Sequence, residues 1–571
     1  MAHCGRTLAS ALAVLSLAAC SGGNSGATTT SETGHSAAHG AGVEAPPTAP
    51  EAARFLTQAT FGPTDADIAA VQQAGYAAWI AQQEAMPVQN LTVDFMKAQQ
   101  QANVAKQQKY LPDYLYWAFW RDAATAPDQL RQRVKLAYSE IFVVSMVDPN
   151  VDPLMAGSYY DMLGANAFGN FRTLLEQVAL HPAMGVYLSW IANQKADPTT
   201  GRHPDQNFAR ESMQLMSIGL FQLNPDGTHK LDSKGQTIAT YSAADLAGLS
   251  DVLTGYGWYS AHPTNTTFTT RPGGANLVAA LTTPMIPYPT FHETGAKSFL
   301  GVTIPASAAS NPSGDLKVAL DTIFNHPNVG PFIGKQLIQR LVTSNPSPDY
   351  VARVAGVFNN NGKGVRGDMG AVIAAILTDP EARNVSSDPA YGKLREPVVR
   401  MANWMRTMGA RSASGNWLIT STSANTSLDQ SVLTAQSVFN FWRPGYAPPG
   451  TKLGDLGYVG PEFQAVDEVS VAGYLNTMQG AVGNGVGAGR DVTAPYTTEI
   501  GIATDPSALA DRMNLLLLNG QMSTGLRNRI TGAVAGVNLP ANGTARTTAL
   551  TNRAKLAVFM TLASPEYLAQ R

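Results

Sequence analysis

Apolar residues recur every three to four positions along most of this chain, and that spacing constrains the fold more than any other feature of the sequence. Such spacing places one apolar face on an α-helix, whereas a half-buried strand would alternate at every second residue. We therefore expect a mainly α fold, a large multi-helical globular domain. After Asp128 the stripe runs through Leu130, Val134, Ala137, Ile141 and Val144, and later helices are predicted over 315–325, 329–343, 348–360, 367–377, 393–408, 506–518 and 549–568.

Strand signals are few and lie close together. The segment 220–241 carries an Asp-Gly and a Lys-Gly turn between short apolar runs, which predicts a small β-hairpin. Two long stretches, about 257–298 and 411–456, are rich in Gly, Pro, Ser and Thr and show little periodicity. We expect both to form long loops, which in a compact domain are usually functional or disordered.

The composition narrows the class of protein. Of the 571 residues, 44% are hydrophobic and 14% are charged, and the formal net charge is −2. The hydrophobic content is too high for a disordered chain. A near-neutral charge also gives no basic surface, which argues against nucleic acid as a partner.

The beginning of the chain resembles an export signal. Arg6 precedes an apolar run from Leu8 to Ala19 that is too short to span a bilayer. The run ends Leu-Ala-Ala before Cys20, the residue order of a bacterial lipobox. We expect residues 1–19 to be a lipoprotein signal peptide and Cys20 to carry acyl chains such as palmitate, which would anchor an exported protein to the cell envelope. A plain secretory signal with an incidental cysteine is the alternative.

After the signal, the sequence divides into a tether and a body. Residues 20–50 are mostly Gly, Ser, Thr, Ala and Pro, which is typical of a flexible low-complexity tether. Residues 51–571 are expected to form a single large helical domain, with a subdomain boundary within 411–456 as the alternative. Since Cys4 and Cys20 are the only cysteines, the body must be stabilised by its apolar core rather than by disulfides.

The most informative polar segment is the predicted helix around residues 207–214. A stripe of four polar side chains at positions i, i+3, i+4 and i+7 contains no Lys, which distinguishes it from an ordinary solvated face. A polar network lining a cleft is one interpretation, with Glu211 as a general acid or base; a solvent-facing stripe is the other. The four residues are Asn207, Arg210, Glu211 and Gln214.

Two histidines complete the list of catalytic candidates. His181 precedes Pro182 at a predicted helix end, where an imidazole is most simply a structural feature near the helix dipole. His292 lies in a long predicted loop, where catalytic groups are more common. Either could act as the partner of Glu211.

Two further segments provide candidate binding residues. Lys393–Pro397 and Arg400 bring four charges together within eight positions, among them Arg395 and Glu396. Arg443 lies in an aromatic and proline-rich loop, where a guanidinium suits an anion or a cation–π contact. A structural cross-brace is the alternative.

These segments together resemble the bacterial family known as domain of unknown function 1800 (DUF1800). The family's helix motif usually begins Glu-Asn, but Gln206 stands at the Glu position here. The resemblance implies a mainly helical, exported protein, often encoded beside a sulfatase-like protein, and it implies no established reaction. The matching segments are Ala53–Thr64, Leu130–Val134 with Ile141–Ser145, Asn166–Asn170, His181–Gly185, Asn207–Glu211, Lys393–Pro397, and Ser437–Phe441 with Arg443–Gly445.

Two functional hypotheses follow. The first is a hydrolase-like enzyme acting on an envelope or extracellular polymer or glycoconjugate, with a cleft formed by the 207–214 helix, His181, His292 and the Arg443 loop. The second is a non-catalytic lipoprotein that binds or helps assemble a partner such as the sulfatase-like protein. A metal-dependent enzyme ranks third, since no ligand spacing supports a metal site. No motif identifies a cofactor.

Lipid anchoring predicts a clear difference between the two cysteines. A Cys20→Ser variant should incorporate no radiolabelled palmitate and should leave the membrane fraction, because the acyl acceptor is absent. A Cys4→Ser variant is the matched control and should behave like the wild type. Retention of Cys20→Ser in washed membranes would contradict the lipoprotein assignment.

Overall fold

The periodic segments form helices in the computed structural model, which describes residues 45–89, 91–103, 110–388 and 390–571. The mainly α fold is confirmed, and Pro46–Arg571 form one compact unit. The predicted signal segment, Cys20 and the tether as far as residue 44 lie outside the described residues. Within the described residues, no helix is both long and apolar enough to cross a membrane.

The helices of the first half are α1 (Ala49–Ala59), α2 (Asp65–Ala74), α3 (Tyr76–Ala85), α4 (Thr92–Ala102), α5 (Pro112–Thr125), α6 (Gln129–Ser139), α7 (Pro153–Ala165), α8 (Phe171–Leu180), α9 (Pro182–Tyr187), α10 (Asn207–Gln214), α11 (Ala243–Val252), α12 (Asn265–Thr269) and α13 (Leu277–Thr282). Those of the second half are α14 (Pro312–Asn325), α15 (Val329–Leu341), α16 (Pro348–Asn359), α17 (Met369–Thr378), α18 (Pro380–Arg383), α19 (Pro397–Thr407), α20 (Lys452–Asp455), α21 (Glu468–Asn484), α22 (Thr497–Ile502), α23 (Pro506–Leu518), α24 (Thr524–Gly536), α25 (Gly543–Leu562) and α26 (Pro565–Leu568).

The described residues form four antiparallel pairs of very short strands, of which β3 and β4 are neighbours in sequence and the other three pairs join strands farther apart. Each pair has only two strands, so the sheets join loops to one another and do not form a layer of the core. The pairs are β1 (Tyr256–Gly257) with β2 (Ile286–Pro287), β3 (Lys297–Phe299) with β4 (Val302–Ile304), β5 (Lys393–Leu394) with β8 (Ala569–Gln570), and β6 (Arg411–Ser412) with β7 (Val492–Thr493).

The predicted helix over 393–408 begins four residues late. Lys393 and Leu394 pair with Gln570 and Ala569 in a two-stranded ladder, so their backbone groups are used before a helix can form. Pro397 then occupies the first turn of α19, where the missing N–H of proline does no harm. The charged segment 393–400 therefore consists of a short strand followed by the first turn of α19. Its charged side chains are buried.

The predicted hairpin at 220–241 is present as a small β-arm. Phe221 bridges Ala239, and two tight turns return the chain between them. Gly227 and Gly235 both adopt a positive φ, which those turns require and which glycine adopts without a Cβ clash. The turns are closed by backbone bonds from Asn224 N to Thr228 O and from Asp232 N to Gln236 O, each 2.8 Å long.

Helix α6 runs through the centre of the compact unit, and all eleven of its residues are buried. Three of them are cations, and each lies close to a carboxylate. Arg131 pairs with Asp128 at 3.3 Å and Lys135 with Asp161 at 3.3 Å. Arg133 instead faces the charged motif before α19, where Glu396 lies 3.6 Å away. A buried charge needs a neighbouring opposite charge, because desolvation costs roughly several kcal/mol for each ion.

The packing of α11 against β3 gives a stability prediction. A Cβ added to Gly248 would overlap the carbonyl oxygen of Ser298, so Gly248→Ala should lower the free energy of unfolding by about 3 kcal/mol. Gly532→Ala is the control: that glycine lies in α24 with no atom near its missing Cβ, and the change should stabilise by about 0.5–1 kcal/mol. Urea unfolding of both variants measures the difference. Similar values for the two would show that α11 and β3 are not rigidly held.

Candidate functional site

A cleft of about 1230 Å³ opens between α15, the β-arm and the loop that carries Arg443. Its walls are rich in aromatic and proline side chains, with a few polar groups between them. Pockets of this kind bind a ligand by apolar contact and orient it through the few polar groups. The aromatic lining residues are Phe221, Phe332, Tyr391, Phe439, Tyr446 and Tyr458.

The floor of the cleft is formed by Glu140, the C-terminal cap of α6, and Arg340, near the end of α15. Arg340 Nε lies 3.5 Å from Glu140 Oε2, and Arg340 Nη2 donates to the Glu140 carbonyl oxygen at 2.8 Å. Both residues are almost fully buried, with exposed fractions of 3% and 5%. Glu140 and Arg340 are therefore buried ionisable residues that also line the cleft.

Beneath the floor, further charged side chains continue the network. Lys393 Nζ lies 3.3 Å from Glu396 Oε1 and 3.0 Å from Glu462 Oε1, and it donates to the Arg340 carbonyl oxygen at 2.8 Å. All of these side chains are buried. We call this set the floor cluster: Glu140, Arg340, Arg133, Glu396, Lys393 and Glu462.

Gln430, from the long loop after α19, completes the cluster. Its Nε2 donates to Glu140 Oε1 at 3.4 Å and to Glu396 Oε2 at 3.3 Å. Its Oε1 accepts from the backbone N–H of Val398 at 3.1 Å, which fixes the orientation of the amide. The 413–451 loop therefore has a structural role at the site even though it contains no helix or strand.

The two carboxyl groups that contact Gln430 have pKa values pushed in opposite directions. Burial raises the pKa of Glu140 well above its ordinary value, and the charge and hydrogen bond of Glu396 raise it further. Burial also opposes ionisation of Glu396, but Lys393 and Arg133 outweigh it and lower its pKa to about 2. The pKa values of the two carboxyl groups are therefore separated, so that Glu396 ionises before Glu140 as the pH rises.

The polar stripe predicted on α10 divides between three environments. Asn207 and Arg210 are exposed, as expected of a solvent-facing stripe. Gln214 lines the cleft, and its Oε1 accepts from the Tyr241 hydroxyl at 3.4 Å. Glu211 is buried away from the cleft; its Oε2 has no hydrogen-bond partner among the described residues, and burial raises its pKa.

His181 caps a helix inside the core. Its Nδ1 accepts from the backbone N–H of Ala183 at 3.2 Å, and its Nε2 lies 3.3 Å from Ser158 Oγ. The ring packs edge-on against Tyr159, and burial lowers the pKa of His181 to about 3. The ring is thus neutral over the physiological range, and it does not line the cleft.

His292 is fully buried in a different place. Its Nε2 lies 3.0 Å from Asp315 Oδ2, and its Nδ1 lies 2.9 Å from the Thr254 carbonyl oxygen. Lys297 Nζ contacts the same Asp315 oxygen at 2.9 Å. These contacts join the 257–298 segment to α14. That segment contains α12, α13 and β2, so it is not the long loop that we expected. The cleft that we expected around both histidines is also not the cleft that the structure contains.

The remaining sequence candidates are also separated. Arg443 lines the cleft, with its guanidinium 5.1 Å from the centre of the Phe439 ring. Glu396 lies under the floor, and Arg395 borders a second cavity. Of the predicted site residues, Gln214 and Arg443 are therefore the two that share the cleft.

Sequence reasoning did not identify Glu140 and Arg340 as site residues. The sequence contained a partial indication, because the charged residues around α6 lie off its apolar stripe. Charges off a stripe normally face solvent, and only the burial of α6 on every side turns them inward. Among the described residues, no three His, Cys, Asp or Glu side chains are placed to hold a metal ion.

The fold and the site define a large, mainly α protein whose aromatic cleft ends on buried ionisable groups. The sequence model of the family described as "Protein of unknown function (DUF1800)" matches residues 54–569, and the chain belongs to that family. This confirms the resemblance drawn from the motifs. No curated protein and no solved structure matches the chain.

The neutral His181 predicts a specific response to acid. The unfolded chain protonates this histidine below its ordinary pKa of 6.5, whereas the folded protein does not until about pH 3. Stability from this group is therefore complete above pH 6.5 and falls as the pH drops, by roughly 2 kcal/mol between pH 7 and pH 5. Asn at this position can still cap α9 but does not titrate, so His181→Asn should lose less stability than the wild type over that range.

The measurement is urea unfolding of both proteins at pH 7 and pH 5. Comparing the change within each protein removes the fixed cost of the substitution and the contribution of the groups common to both. Equal losses of unfolding free energy would contradict a histidine that is neutral in the folded state.

Proposed function

We propose that the protein is a hydrolase-like enzyme that cleaves an extended polymer or glycoconjugate of the cell envelope in this cleft. The observation that carries the proposal is the position of Glu140 at the cleft floor, where burial and the neighbouring Glu396 raise the pKa of its carboxyl well above the ordinary value. A carboxyl that keeps its proton near neutral pH is the group that general acid catalysis requires. Neither His181 nor His292 has a part in this proposal.

The walls of the cleft support a polymeric substrate. The six Phe and Tyr side chains that line the cleft suit the stacking of successive sugar rings or other flat apolar surfaces. Lys335 and Arg443 add positive charge, and neither forms an ion pair among the described residues. Burial lowers the pKa of Lys335, so an anionic group of the substrate would favour its charged form.

In the proposed reaction, Glu140 donates its proton to the oxygen that leaves as the C–O bond breaks. Water supplies the new oxygen on carbon, and the proton that this water releases restores Glu140. Glu396 is a positioning residue, because its charge and hydrogen bond keep the proton on Glu140. When Glu140 has given up its proton, the guanidinium of Arg340 stabilises the negative charge on its carboxylate.

Glu140→Gln tests the acid. Glutamine keeps the shape of protonated glutamate and can still donate to Glu396, so the variant should fold with an unchanged melting temperature. It should release reducing ends from acidic envelope polysaccharide or peptidoglycan at least about 100-fold more slowly than the wild type, since general acid catalysis contributes that much or more. Exposed Glu468→Gln is the control and should retain full activity.

Binding measured beside activity separates the two functional candidates. Wild type that binds these polymers in a sedimentation assay, but releases no reducing ends, would favour the non-catalytic binding or assembly lipoprotein. One observation supports that second candidate: Lys393, Arg133 and Glu396 of the family motifs are used inside the fold. In that case we propose that the sulfatase-like protein is the partner, and co-purification from membranes tests it.

The site of action is also a proposal. The lipobox-like order before Cys20 supports an anchor on the cell envelope, and outer-membrane delivery is compatible with Ser21. Export to that compartment would bring the cleft to the polymers named above. Fractionation of the Cys20→Ser variant tests the anchor independently of the activity.

A further inference from the structure

A second cavity, of about 450 Å³, lies on the other side of Tyr391 from the cleft, where β5, β8 and the start of α24 meet. Arg395 and Arg571 contribute positive charge to its lining, and Gln521 contributes a neutral amide. Volumes of this order hold a small organic molecule. The proposed function does not use this cavity.

Arg395 is a buried cation with too few partners. Its exposed fraction is 3%, its Nη2 donates to the Leu517 carbonyl oxygen at 3.2 Å, and its guanidinium stacks 4.5 Å from the centre of the Tyr567 ring. Its Nε and Nη1 have no hydrogen-bond acceptor among the described residues. No carboxylate in the described part of the chain forms an ion pair with it. Burial accordingly lowers the pKa of Arg395.

The charges around Arg395 do not compensate it. Arg400 is buried nearby, and its Nε donates to the Arg395 carbonyl oxygen at 2.7 Å, so a second positive charge adds to the first. Glu566 is the acidic residue of the cavity lining, and among the described residues it forms no ion pair with Arg395. Its carboxylate oxygens accept from Ser523 N at 2.8 Å and Ser523 Oγ at 2.5 Å.

A buried guanidinium without an ion pair, next to a cavity, favours an anion in that cavity, because the negative charge offsets the desolvation of the cation. Inorganic anions are much smaller than the space available. We infer that the second cavity binds a small organic oxyanion, a carboxylate or a phosphate monoester, with its negative group next to Arg395 and Arg571.

Thermal unfolding of the full chain at constant ionic strength tests this inference. The probes are glucuronate, glucose 6-phosphate, inorganic phosphate and neutral glucose. Glucuronate or glucose 6-phosphate should raise the melting temperature in a saturable way, because a ligand of the folded state stabilises it, and glucose should not. The stronger of the two identifies the anionic group. A saturable rise with inorganic phosphate alone would overturn the organic ligand, and no rise with any anion would overturn the site.

Two variants locate the effect. Arg395→Gln should abolish the saturable rise, and Gln521→Glu should raise the apparent Kd at least tenfold, because it adds a like charge to the lining at almost constant shape. If Arg395→Gln does not fold, Gln521→Glu decides alone. Gln236→Glu on the exposed β-arm is the matched control and should respond as the wild type does. An unchanged response of Gln521→Glu would overturn the assignment to this cavity.

The outcome does not depend on the cleft. Glu140→Gln should leave the response to these anions unchanged, since Glu140 does not line the second cavity. Loss of polymer cleavage in that variant and loss of anion binding in Gln521→Glu would therefore be separate results. If the proposed function of the cleft proved wrong, the inference that the second cavity binds an anion would be unaffected.

Discussion

Lys393 joins three separate parts of the chain within the floor cluster. Its ammonium contacts the carboxylates of Glu396 and Glu462 and the carbonyl oxygen of Arg340, so it connects β5, the segment before α21 and the end of α15. Removing one member of a buried ion pair leaves an uncompensated charge, at a cost of about 3–5 kcal/mol. The arrangement of α6, α15 and α19 therefore depends on the cluster being complete.

The same cluster gives the cleft its chemistry. The fold buries three cations and three carboxylates in one place, and their mutual charges raise the pKa of Glu140 at the cleft and lower the pKa of Glu396 below it. The scarcity of charge in the sequence thus has a structural meaning: many of the charged residues in the family motifs are buried and paired. Structural and chemical roles are not separable at these positions.

Local patterns gave accurate helices and poor sites. Helix α23 occupies the predicted residues 506–518. The error at Lys393 came from a strand partner 177 residues away, Gln570, which no local window contains. His181 and His292 were proposed as catalytic, yet each is buried among partners contributed by other elements. Whether the ring nitrogens of a histidine are available for catalysis depends on contacts with residues that are distant in sequence.

The sequence by itself determined the helical class, the bounds of several helices, the turns of the β-arm and membership of the family, because periodicity, capping and turn chemistry act over a few residues. Only the tertiary structure decided which charges are buried. Glu140 lies off the apolar stripe of α6 and would be solvated on an isolated helix, but packing covers every side of that helix and places its carboxyl under the cleft. Desolvation and neighbouring charge then set its proton affinity, and both are properties of the assembled fold.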